Sequence, residues 1–110
     1  MHLVLSRVVI VVATIVVATG RAVTPAAADP ANGERLARQW CSSCHIVAPD
    51  QTRASADVPA FASIARMPGF DRNKVAFFLL DRHPKMPSMS LTRSEATDLA
   101  DYIASLGTGR

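Results

Sequence analysis

Cys41-Ser42-Ser43-Cys44-His45 limits what this chain can fold into more than any other stretch. The only two cysteines among its 110 residues stand three positions apart there. A disulfide between them would close a very short loop and restrict the unfolded chain little. A chain of this length makes one small domain, whose side chains alone form a marginal core and which usually needs a staple. That staple must be something other than a disulfide.

Residues 1–28 read as an export signal and residues 29–110 as the mature domain. Arg7 ends a short basic opening, Val8 to Gly20 is an apolar run of 13 residues, and Ala26-Ala27-Ala28 offers a small-residue cleavage site. A membrane span needs roughly 20 apolar residues, and Arg21 closes this run too early. Cleavage after Ala28 is predicted, leaving no permanent membrane anchor. Arg7 and Arg21 leave with the signal, so ten of the twelve Lys and Arg remain against nine acidic residues, a formal net of +1. Those charges form no basic stripe and have no aromatic residues interleaved, which excludes nucleic acid as a partner.

The mature segment reads as all-α, with four short helices and long connections. Asp29-Pro30 is an N-cap followed by proline at the first helical position. Leu36 and Trp40 then share one face, and the helix runs into Cys41. Residues 46–58, with Pro49, Asp50, Thr52 and Ser55, read as a surface loop. Pro59 to Arg66 suits one or two helical turns. Asp71 caps a helix from Arg72 to about Asp81 with Val75, Phe78 and Leu79 as its stripe. His83-Pro84-Lys85-Met86-Pro87 cannot be regular helix. Thr92-Arg93-Ser94-Glu95 is a capping box, Leu99, Ile103 and Leu106 follow at helical spacing, and Gly107 is the expected stop. Strand-like alternation and internal repeats do not occur.

Cys-x-x-Cys-His is the attachment pattern for covalent haem. Two thiols at this spacing can reach two vinyl groups on one edge of a porphyrin, and the next residue then lies under the ring, where its imidazole meets the iron. A thiol–disulfide motif belongs in a βαβ setting absent here. A zinc site needs a second ligand pair, whereas beyond His45 the mature chain offers only His83. One covalent haem c on Cys41, Cys44 and His45 is therefore expected, and it supplies the missing staple.

The second axial ligand comes from Met67, Met86, Met89 or His83. Met86 is preferred because two prolines hold its loop extended, free of competing helical hydrogen bonds. Met89 on the same loop is second choice. Met67 precedes Pro68-Gly69 and reads as turn or pocket lining; His83 reads as facing solvent or a propionate. Val58, Phe61, Ile64, Phe78, Leu79 and Leu91 are the expected pocket lining.

With these residues in view, the mature chain resembles the class I cytochromes c of the short bacterial periplasmic kind. The resemblance rests on Gly33-Glu34-Arg35-Leu36, the haem motif, Val58-Pro59-Ala60-Phe61, Met86-Pro87, and Leu91-Thr92 leading to Leu99-Ala100-Asp101-Tyr102-Ile103. It implies that the first and last helices cross closely at Gly33. It also implies that His45 and Met86 are the axial pair and that the Pro59 carbonyl accepts a hydrogen bond from His45. One departure is Ala37, where the family often has an aromatic; Trp40 is expected to fill that space. The implied function is one-electron transfer between periplasmic redox proteins, without catalysis. A dedicated haem subunit of a periplasmic dehydrogenase or oxidase is the alternative, and a haem-based ligand binder or peroxidase ranks below it. Arg82, Lys85 and Arg93 flank the distal loop and read as a solvated face ahead of a docking patch.

Overall fold

The computed structural model describes residues 22–55, 57–81 and 85–109. The expected signal through Arg21 lies outside the described residues, as do Arg82, His83 and Pro84. Four helices follow one another: α1 (Pro30–Trp40), α2 (Phe61–Ala65), α3 (Arg72–Leu80) and α4 (Arg93–Gly107). The described residues contain no strand, so the fold is all-α. None of their helices is long and apolar enough to cross a membrane.

Local chemistry starts the helices where the sequence indicates. The Asp29 carboxylate accepts the backbone N–H groups of Ala31 and Asn32, with Pro30 following. Asp71 does the same for Asn73 and Lys74, and those two N–H groups hold its carboxyl below the usual carboxylate range. Thr92 and Glu95 close a reciprocal capping box at the start of α4.

The fifteen-residue α4 is the spine, and α1, α2 and α3 each pack against it. Gly33 sets the α1 crossing. A Cβ placed there would collide with the Asp98 carbonyl and come within 2.8 Å of the Tyr102 Cβ. Leu36, Ala37, Cys41, Val47, Phe61, Leu99, Tyr102 and Ile103 form most of the core. Burying Leu36, Leu99 and Ile103 contributes roughly 1.5–3 kcal/mol each.

Three expectations change. Trp40 is 47% exposed and does not fill the space beside Ala37. The buried face of α1 is Gly33, Leu36 and Ala37, continued by Cys41 at the C-cap, so Trp40 falls at its rim. The aromatic of this part of the core comes instead from Tyr102 on α4. Phe78 is 45% exposed, while Val75 and Leu79 alone of its stripe pack onto the core. Residues 46–58 are not all surface, because Val47 and Ala48 are buried core residues. Gly107 ends α4 as expected. Its lack of a side chain serves packing, since a Cβ there would lie 2.9 Å from the Ala65 Cβ at the end of α2.

Candidate functional site

The motif turn is built as a continuation of α1. The Cys41 and Ser42 N–H groups donate to the Ala37 carbonyl, and those of Cys44 and His45 donate to the Cys41 carbonyl at 3.1 and 2.8 Å. This winding brings two thiols and an imidazole onto successive positions of one tight turn. Cys41 is buried and Cys44 exposed, and both are free thiols. Burial, with a smaller contribution from Cys44, pushes the Cys41 thiol up to about 11. Cys41 thus stays protonated at neutral pH, which argues against thiol–disulfide exchange, where the attacking species is a thiolate.

His45 is buried at 9% exposure, and its ring lies 5.2 Å from that of Phe61, centre to centre. Its Nδ1 is 2.6 Å from the Pro59 carbonyl oxygen. A carbonyl can only accept, so Nδ1 carries a proton, and in the neutral imidazole the lone pair lies on Nε2. That hydrogen bond fixes tautomer and ring orientation and raises the basicity of Nε2. No described protein group bonds Nε2. A buried nitrogen with a free lone pair suits coordination, because leaving it without a partner costs free energy. Pro59 is held in place by its neighbour: the Phe61 N–H donates to the Ile46 carbonyl, one residue past the histidine.

Gln51, which the sequence does not single out, and Tyr102 hold this turn from behind. Gln51 Nε2 lies within 2.7–2.8 Å of the carbonyls of Ser42, His45 and Arg53, while its Oε1 accepts the Val47 N–H at 2.9 Å. The Tyr102 hydroxyl donates to the Val47 carbonyl at 2.7 Å, tying α4 to the residue two past His45. Burial raises the Tyr102 phenol above its ordinary value. At the surface, Arg38 bridges Glu34 and Asp50, and this hydrogen bond holds the Asp50 carboxyl below the usual range.

The structure thus brings Cys41, Cys44, His45, Pro59 and Phe61 together around one turn. Val58 is half-buried, and Ile64 packs against the core from α2. The remaining predicted residues form a second group: Phe78 and Leu79 of α3 line a groove with Met86, Met89 and Leu91 from the connection to α4. Met89 and Leu91 also pack on the core cluster, whereas Met86 is half-buried in the groove and outside that cluster. Met67 is 56% exposed on the far side of α2 in sequence. His83 lies outside the described residues.

These donors fit a haem: two free thiols, an imidazole with an available nitrogen, and two thioethers lining one groove. Cys41 and Cys44 would hold the ring, and His45 and a groove methionine the iron.

No protein-family model and no solved structure matches the chain. It is 62% identical over 80 residues to cytochrome c-552 of Bradyrhizobium diazoefficiens, an alignment spanning 73% of this chain and 77% of that protein. At that identity and coverage, the chain belongs to the c-type cytochromes.

Proposed function

We propose that the mature chain is a periplasmic one-electron carrier with a single haem c, attached through Cys41 and Cys44 and ligated by His45 Nε2 and Met86 Sδ. As a c-type cytochrome the chain is an electron carrier that uses covalent haem; the location, the haem number and the ligand pair are the finer reading. One observation carries it: the 2.6 Å contact between His45 Nδ1 and the Pro59 carbonyl, which leaves the buried Nε2 for iron. Haem bound there supplies an iron that changes oxidation state by one electron. The residues of the chain hold the ring, exclude water from it and keep both axial positions taken, which leaves no place for substrate. His/Met ligation raises the potential relative to stronger donors.

Met86 is preferred to Met89 because Met89 is already engaged in core packing. Cleavage of the leader after Ala28 and export place the protein where other periplasmic redox proteins act as donor and acceptor. Lys85 and Arg93 are exposed beside the groove and suit a transient acidic partner. The second reading, a dedicated subunit of a larger redox enzyme, draws on α3, where Phe77 is 74% and Leu80 41% exposed. Such a patch suits a lasting interface.

The test is the optical spectrum of protein matured in the periplasm with a cytochrome c maturation system. A low-spin spectrum that survives acid–acetone extraction, with a ferric methionine–sulfur charge-transfer band, is expected. Failure to take up covalent haem would overturn the reading. A high-spin product that binds carbon monoxide readily would redirect it to ligand binding or peroxidase chemistry, and co-purification in a fixed ratio with an enzyme would favour the subunit.

A further inference from the structure

Asp98 is a buried carboxylate that the haem site does not use. It is 6% exposed on α4, facing the start of α1, and both of its oxygens are engaged. Oδ1 accepts the backbone N–H of Asp29 at 2.7 Å, and Oδ2 accepts the side-chain amide of Asn32 at 2.8 Å. Both donors are neutral. Among the described residues, no Lys, Arg or His pairs with Asp98. A carboxylate taken out of water is costly unless a cation accompanies its hydrogen bonds. The site therefore offers a buried carboxyl group with two neutral donors and, among the described residues, no cationic partner.

The sequence supplies that cation by another route. Asp29 is the residue immediately after the predicted cleavage site, and its backbone nitrogen is the atom that touches Asp98. Residues 22–27 are exposed and without regular structure, with Val23 at 92%, and the ordered helix begins only beyond Asp29. The Ala28–Asp29 bond thus lies where an accessible segment with small residues at Ala26 and Ala28 meets the folded domain.

We propose that leader removal after Ala28 turns the Asp29–Asp98 hydrogen bond into a partly buried ion pair, so that the new N-terminal ammonium docks on Asp98 and locks α1 to α4. The proposal rests on the export reading given above. The covalent step is a hydrolysis by the leader-removing protease. The bond between the Ala28 carbonyl carbon and the Asp29 nitrogen breaks, and water gives its hydroxyl to the carbon and a proton to the nitrogen. The nitrogen takes a further proton from solvent, because a free α-amine titrates near pH ~8 and is mostly charged at pH 7. No oxidation or reduction is involved. The ion pair forms beside Gly33, whose missing side chain already allows the closest approach of the two helices. The crossing just ahead of the haem turn is thereby tighter in the processed protein than in the precursor.

The experiment uses the haem-loaded protein purified from the periplasm, whose intact mass should correspond to a chain beginning at Asp29. A companion form, exported behind a foreign leader that leaves Ala28 as first residue, moves the ammonium one residue outward and keeps every other side chain. In denaturant at pH 7 its unfolding equilibrium constant should be about tenfold larger than that of the native-ended form, as expected for loss of a charge-assisted hydrogen bond. In an Asp98→Asn background the two forms should unfold alike. Should that variant fail to fold, amine acylation at pH 7 gives the second measurement, with the Asp29 terminus reacting several-fold more slowly than the Ala28 terminus. Equal stability of the two ends, equal acylation, a difference that survives Asp98→Asn, or a mature chain beginning elsewhere would each overturn the proposal. A chain beginning at Asp29 but lacking covalent haem would overturn the electron-transfer reading and leave the comparison of the two ends intact.

Discussion

The histidine side and the methionine side of this molecule are built differently. Around His45, backbone and side chains are fixed by a set of hydrogen bonds: Pro59 to the imidazole, Gln51 to three nearby carbonyls, and Tyr102 from α4 to Val47. Around Met86, α3 contributes no fully buried residue, and Phe78 and the loop side chains face a groove. One half is therefore tied into the core, and the other is a groove at the surface. His45 sits in the first half, and Met86 sits in the second, on the connection between α3 and α4.

The crossing of α1 and α4 supports the histidine side, so its disruption should have the largest effect. Gly33→Val should destabilise the holoprotein by about 3 kcal/mol or more, because backbone as well as side chain must move to admit it. Small domains are stable by only about 5–15 kcal/mol, so low periplasmic yield and a greatly lowered denaturation midpoint are the expected readouts. A variant as stable as the parent would show that the crossing is not the support described.

Next in size is a change on the other side that should leave the fold in place. Met86→Ala should abolish the methionine–sulfur charge-transfer band and admit carbon monoxide, with His45 still bound. Met89→Ala should keep the band and lower stability by about 1–2 kcal/mol, less than a fully buried methionine would cost. The reverse pattern would exchange the roles of the two residues.

Tyr102 tests how far the histidine side depends on α4. Tyr102→Phe removes a buried hydroxyl and leaves the Val47 carbonyl unpaired, a loss of about 1–2 kcal/mol. The effect also depends on pH. Burial raises the folded-state phenol above its ordinary value of 10.0. Its stabilising contribution is therefore fully present below pH ~10 and lost as pH rises through the raised value. Denaturation midpoints measured from pH 7 to 11 should fall more steeply above pH ~10 in the parent than in Tyr102→Phe.

Legibility in the sequence follows the range of the interactions. Asp29-Pro30, Asp71 and the Thr92–Glu95 box act within four residues, so the helix starts are readable. The haem motif is equally local, since one turn carries both thiols and the imidazole. Val47 and Gly107 are different, because each meets a segment far away in the chain, Tyr102 and Ala65 respectively. Nothing near Gln51 marks it as the side chain that collects three carbonyls, and its polar loop suggests the surface. Gly107 ends α4 as the sequence indicates, and Ala65 packed against it is a second reason that only the fold shows. Met86 is set apart from Met89 in the sequence by its flanking prolines, whereas the packing of Met89 on the core is visible only in the fold.

The smallest expected effect belongs to the start of α4, which serves both sides at once because the distal loop ends where this spine begins. The Glu95 carboxyl is held below its ordinary value of 4.5 by the backbone N–H of Thr92, with a further contribution from the Thr92 hydroxyl. A depressed folded-state value stabilises the fold above the ordinary one, and that contribution is lost as pH falls through the depressed value. Glu95→Gln keeps an oxygen that can reach back to Thr92 but removes the titration. Its midpoint should be slightly lower than the parent's at pH 7 and should decline less between pH ~5 and 3. The spectrum should not change at any pH where the protein is folded, because the cap anchors the spine rather than the ligand. A loss of the charge-transfer band in Glu95→Gln at neutral pH would instead mean that the methionine loop takes its position from the α4 cap, and the two sides would then be less independent than their packing indicates.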